Sequence, residues 1–179
     1  MNTDMDKIRK SSNVALILAR ISKIFLIAMA VLLFALGIMF VSFLNDFFNE
    51  ELAKAVQAGE SMPDLDGMGM LLGVGNQLVS QSDNYGMALG VYLITAGVYS
   101  AVLAVLMHFI GKVFKDIKEG YSPFQQSIVK NMKIAFVIIT LISLNNSFLI
   151  GVLIGFSLWC AICIFEYGCE LQKQSDETL

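Results

Sequence analysis

The residues best suited to chemistry in this chain are few, and each lies inside or at the rim of a long apolar run. Tyr85, Tyr92 and Tyr99 recur every seven residues, with Thr95 between the last two. On a helix they form one stripe, and a hydroxyl at membrane depth needs a partner. The stripe reads either as a polar-lined cavity or as belt tyrosines at one end plus a satisfied core tyrosine. Cys160 and Cys163 have the C-x-x-C spacing, but a metal site needs more ligands nearby. The single histidine, His108, belongs to a different run, so the cysteines read as small apolar filler. Glu166 ends the last run, level with Lys112, Lys115 and Lys133. A salt bridge is the plain reading and proton coupling the sharper one. The chain contains no phosphate loop, no nucleophile with an adjacent base and no carboxylate pair. Neither enzymatic activity, nor a cofactor, nor a metal is expected.

The elements that must position these residues are the apolar runs themselves, at 24–44, 85–110 and 134–165, none of which contains a charged residue. The chain has 179 residues, is 56% hydrophobic and only 15% charged, and its mean hydropathy is +0.70. A soluble domain carries about 25% charged residues and shorter apolar runs, so lipid must cover much of this surface. Of 12 Lys and Arg residues, all but Lys54 precede the first run, separate the second from the third, or follow the last. That asymmetry predicts an orientation with the basic segments in the cytoplasm. Residues 45–84 carry seven acidic residues, Asp46, Glu50, Glu51, Glu60, Asp64, Asp66 and Asp83, against one lysine, as expected of an outer segment. The net charge of −3 gives no basic face for direct nucleic-acid binding. All three cysteines (Cys160, Cys163, Cys169) fall in or after the last run, which excludes an outer disulfide framework. Ala28-Met29-Ala30 resembles a signal-peptide cleavage site, but Arg20 and Lys23 would interrupt the apolar region, and an uncleaved first span explains more.

The first run, as a helix, is about 31 Å long. Its helical pattern begins earlier, with Arg9, Asn13, Arg20 and Lys23 on one face, either as an amphipathic lead-in on the inner leaflet or as a plain basic flank. Positions 46–58 could extend this helix, with Gly59 and Pro63 marking its end. The glycine- and methionine-rich stretch 67–75 is too short to span and reads as a lid or a loose loop. After the second run, helical spacing persists to Gly120, a C-terminal cap. Ser122, Pro123 and Gln125 then give a capping box with proline in the first turn. This predicts a tight helix–turn–helix corner. The last block must hold two spans, and Asn145-Asn146-Ser147 is its one polar break. Gly86 with Gly90, and Ser143, Ser147, Gly151 and Gly155, recur every four residues. Small residues at that spacing let helices approach closely, within the bundle or in a homo-oligomer. Internal packing is favoured because short spans need close contacts.

The stretch FKDIKEGYSPFQQSIVKNMK at 114–133 and the ending CELQKQSDETL at 169–179 resemble domain-of-unknown-function family 2975 of bacterial membrane proteins. The matching positions are Gly120, Pro123 and Phe124, then Glu170-Leu171-Gln172 and Asp176-Glu177-Thr178-Leu179. The resemblance implies a small multi-pass protein of the bacterial cytoplasmic membrane, encoded beside a small helix-turn-helix regulator. It implies no catalytic residues.

The expectation is an all-α fold: an integral membrane four-helix bundle forming one domain over 1–179. Spans at about 24–44, 85–110, 132–146 and 148–167 leave an outer segment at 45–84, a cytoplasmic corner at 111–131 and a cytoplasmic tail at 168–179. Both termini are cytoplasmic. The expected function is that of a non-enzymatic regulatory or sensory protein in contact with the lipid bilayer. Gly120, Pro123, Phe124, Glu170, Leu171, Asp176 and Thr178 would dock a cytoplasmic protein partner. The alternatives are a small transporter or export component built on the tyrosine stripe, and an assembly subunit of a larger membrane complex.

Overall fold

The computed structural model describes residues 2–58, 84–120 and 124–177, and every element in them is helical. Helix α1 (Asn2–Met39) passes through a short π-helical segment (Phe40–Leu44) into α2 (Asn45–Gln57). Helices α3 (Tyr85–Gly120), α4 (Gln126–Asn146) and α5 (Phe148–Glu177) follow. Four stretches are long and apolar enough to cross a membrane: Arg9–Ala55, Gly86–Glu119, Gln126–Asn145 and Phe148–Glu177. Their backbone bonds are satisfied within each helix, as lipid requires. Both prolines, Pro63 and Pro123, lie outside the described helices. Large apolar side chains face outward, Phe148 at 77% and Trp159 at 69% exposure. Such surface calls for lipid rather than water.

The chain divides into two compact units, one of Met1–Phe25 with Val102–Leu179 and the other of Leu26–Ala101. In the second unit, α1 and the π segment pack closely on α3. A Cβ on Gly37 would stand 2.9 Å from the Gly90 carbonyl oxygen, and one on Gly90 would stand 2.6 Å from a Val41 methyl. A Cβ on Gly86 would stand 2.8 Å from the Asn45 backbone, and Gly97 faces the Phe34 ring. On the N-terminal side of this seam the contacts fall at Gly37, Val41 and Asn45, four apart. In a regular α-helix such positions drift by about 40° per step. The wider π turn at Phe40–Leu44 offsets that drift and keeps the contact residues aimed at α3.

The first unit contains the α4–α5 hairpin. Ser147 alone separates the two helices, in an extended conformation (φ −157°, ψ 123°). Its N–H donates to the Ser143 carbonyl at 3.0 Å, and its own carbonyl accepts from Gly151 at 2.8 Å. The turn therefore falls at the polar break read from the sequence. A Cβ on Gly151 would stand 2.6 Å from the Leu144 backbone, and one on Gly155 would stand 2.9 Å from the Thr140 methyl. These glycines pack α5 antiparallel against α4, inside the chain.

The corner differs from the expected capping box. Gly120 is the last residue of α3, and α4 begins at Gln126 with Gln125 extended before it (φ −117°, ψ 143°). Phe124 and Gln125 are non-helical, so the returning helix opens at Gln126, later than the start expected at position 123. Phe124 is held elsewhere, as described below. Helix α4 is 21 residues long and runs N-terminal of Met132, where the 15-residue span was expected to begin. The basic lead-in is continuous with the first span in α1. The expected lid at 67–75 and the breaks at Gly59 and Pro63 lie outside the described residues, as do Pro123 and Thr178.

Candidate functional site

The charged end of the α4–α5 hairpin gathers most of the residues expected to dock a partner. Phe124, just before α4, lays its ring against α5. It stands 5.9 Å from the Phe165 ring, centroid to centroid, at 44°. The ring fits because position 168 is glycine: a Cβ there would overlap the Phe124 ring edge. Phe124 keeps 39% of its surface exposed, so it pins the corner to α5 and still presents a face outward. Two further links tie the same end together. Lys133 on α4 forms a salt bridge with Glu166 on α5 at 2.5 Å, with both side chains about half exposed. Asn131 Nδ2 on α4 donates to Asp116 Oδ2 on α3 at 3.3 Å.

Between these links an open groove of about 450 Å³ runs along α4 and α5. Lys130, Lys133 and Lys173 supply its cations, Glu166 and Glu170 its anions, and Val129 and Cys169 its floor. Positive and negative groups thus alternate within one recess. Asp176 and Glu177 line a second recess beside it with Phe124 and Gln126. Leu171 is exposed at 47% on the same terminal stretch of α5. Cys169 lies beyond the apolar run, where burial raises its thiol pKa and the nearby Glu166 charge adds to the effect. A thiol so placed is a poor nucleophile at neutral pH.

The tyrosine stripe is split. Tyr92 is buried at 6% exposure and Tyr99 is half-buried. The Thr95 hydroxyl donates to the Val91 carbonyl of its own helix at 2.8 Å. The Tyr85 side chain lies outside the described residues. Cys160 and Cys163 are exposed on α5. Among the described residues they fill no core, which corrects the filler reading, because α5 buries only its α4-facing side there.

Three features escaped sequence reading. Gly168 and Gly37 are single glycines whose purpose appears only with the partner they admit. The third is an asparagine cluster. Asn49 Nδ2 donates to Asn84 Oδ1 at 2.8 Å and to Asn45 Oδ1 at 3.2 Å. The free N–H groups at the start of α3 are taken up there, Gly86 by Asn49 Oδ1 at 3.0 Å and Met87 by Asn84 Oδ1 at 3.1 Å. Asn84 is a conventional N-cap. Asn49 does the same work from 37 residues away, and no local signal announces it.

Comparison with protein-family models, with curated proteins and with solved structures finds no match.

Proposed function

We propose that this is a non-enzymatic protein of the bacterial cytoplasmic membrane, a regulatory or sensory component whose α3–α4 corner and α5 tail dock a cytoplasmic protein. In this reading the four long helices form a bundle with both termini in the cytoplasm and residues 45–84 outside. The distribution of Lys and Arg supports that orientation. The observation that carries the docking reading is the Phe124 ring seated on Gly168 and Phe165. It joins two segments distant in sequence into one surface beside a mixed-charge groove. A partner surface with alternating charge would complement that groove, and charge patterning of this kind sets specificity more than raw affinity. The partner suggested by the likeness to family 2975 is a small helix-turn-helix regulator.

The transport alternative needs the tyrosine stripe to line a polar path. Thr95 turns its hydroxyl to its own backbone instead, so docking is preferred. The test is co-purification of the regulator encoded beside this gene with the full chain and with a Lys130→Glu/Glu170→Lys variant. Recovery should fall at least tenfold in the variant. Equal recovery would remove the docking claim. Reporter fusions at Gly120 and Gln81 test the orientation: the two must report opposite compartments.

A further inference from the structure

A second groove lies between α1 and α3 in the same compact unit, and its chemistry differs. Arg20 and Lys23 of α1 and Lys112 and Lys115 of α3 line it, enclosing about 260 Å³. Among the described residues, no carboxylate lines it. The recess exists because the two helices meet through small residues: a Cβ on Gly111 would reach Ala19 Cβ at 3.7 Å and Leu16 Cδ1 at 3.9 Å. Ala19 and Leu16 are buried and form the floor.

We infer that this groove holds the phosphate of an anionic phospholipid. Each cation pair is spaced by three, so both members stand on one helix face. Four like charges around one recess repel one another, and an anion placed among them relieves that cost. Among the described residues, Arg20, Lys23 and Lys112 form no salt bridge. Lys112 Nζ rests 5.7 Å from the Phe109 ring centroid. Lys115 has Glu119 at 3.9 Å, with both side chains more than half exposed, a contact worth little. Arg20 offers the planar fork that suits phosphate.

Two further observations favour a lipid over a soluble anion. The groove stands at the rim of the apolar runs, which resume at Ile24 on α1 and end at Ile110 on α3. Immediately inward, Ile24 is 65% exposed, Phe25 63% and Val105 49%. Acyl chains gain contact there and an inorganic ion gains none. Basic pockets between helices at the cytoplasmic boundary are suited to phospholipid headgroups, and four cations match a headgroup with two phosphates better than one with a single phosphate. The inference rests on reading the long helices as spans and is independent of partner docking.

The test is native mass spectrometry of the full chain in neutral detergent with added phosphatidylcholine, phosphatidylglycerol or cardiolipin. Retention should rank cardiolipin above phosphatidylglycerol, with phosphatidylcholine lost. Arg20→Gln/Lys112→Gln should weaken cardiolipin retention about thirtyfold, at about fivefold per charge. The conservative Arg20→Lys/Lys112→Arg variant should retain it, and so should Lys130→Gln/Lys173→Gln in the other groove. Equal loss in both glutamine variants, or no preference for anionic lipid, would overturn the site. Displacement by millimolar inorganic phosphate would overturn it in favour of a free anion. Fusion reporters at Gly120 and Gln81 read the orientation separately, so failure of the site and failure of the span reading are distinguishable.

Discussion

The α4–α5 groove and the α1–α3 groove are both built from lysines at the ends of apolar helices, yet they differ in charge balance. In the first, Glu166 and Glu170 stand among Lys130, Lys133 and Lys173. In the second, four cations stand with no acid among the described lining residues. A recess of mixed charge attracts a simple anion less strongly, because carboxylates stand among its cations. It can instead discriminate between protein surfaces by their pattern of charge. An unbalanced recess lacks that discrimination but supplies the field to hold a phosphate. Positive residues at helix ends are commonly counted as one orienting signal; here their neighbours divide them into two kinds of surface.

Experiments can break this comparison in order of expected effect. Reversal of two charges in the unbalanced groove, Arg20→Glu/Lys112→Glu, should abolish cardiolipin retention, a loss of about a hundredfold or more, while leaving regulator recovery unchanged. Conversion of the balanced groove into an unbalanced one, Glu166→Gln/Glu170→Gln, should create new cardiolipin retention there, a gain of about thirtyfold by the same measure. If it does not, charge balance is not what separates the two sites. Gly168→Ala displaces the Phe124 ring and should cost about 1–3 kcal/mol in thermal unfolding, with weaker regulator recovery and unaltered lipid binding. The smallest effect belongs to Glu166→Gln alone. The Lys133 pair is half exposed, so unfolding should shift by no more than about 1 kcal/mol.

The long helices were legible because uncharged runs and basic flanks leave little choice of structure in lipid. The turn at Ser147 was legible because three polar residues interrupt an otherwise apolar block. The corner was legible only in outline. Pro123 suggested a helix start by its φ restriction, but the Phe124 ring is held against Gly168, and α4 begins only after that anchored residue. Of the charge content of the grooves, only the Lys133–Glu166 pair was legible. Arg20 and Lys112 are 92 positions apart in the sequence, and helical periodicity describes neighbours within one element. Gly37 and Gly168 were missed for the same reason: neither has a small residue four positions away to mark it. The repeats Gly86/Gly90 and Gly151/Gly155 carry that mark, and all four stand where helices approach closely.

The one-residue elbow at Ser147 leaves α4 and α5 no slack. With no spare chain between them, the helices cannot part at that end without losing the Ser147 N–H to Ser143 bond and lifting Gly151 off Leu144, so a push on either helix there is carried directly to the other.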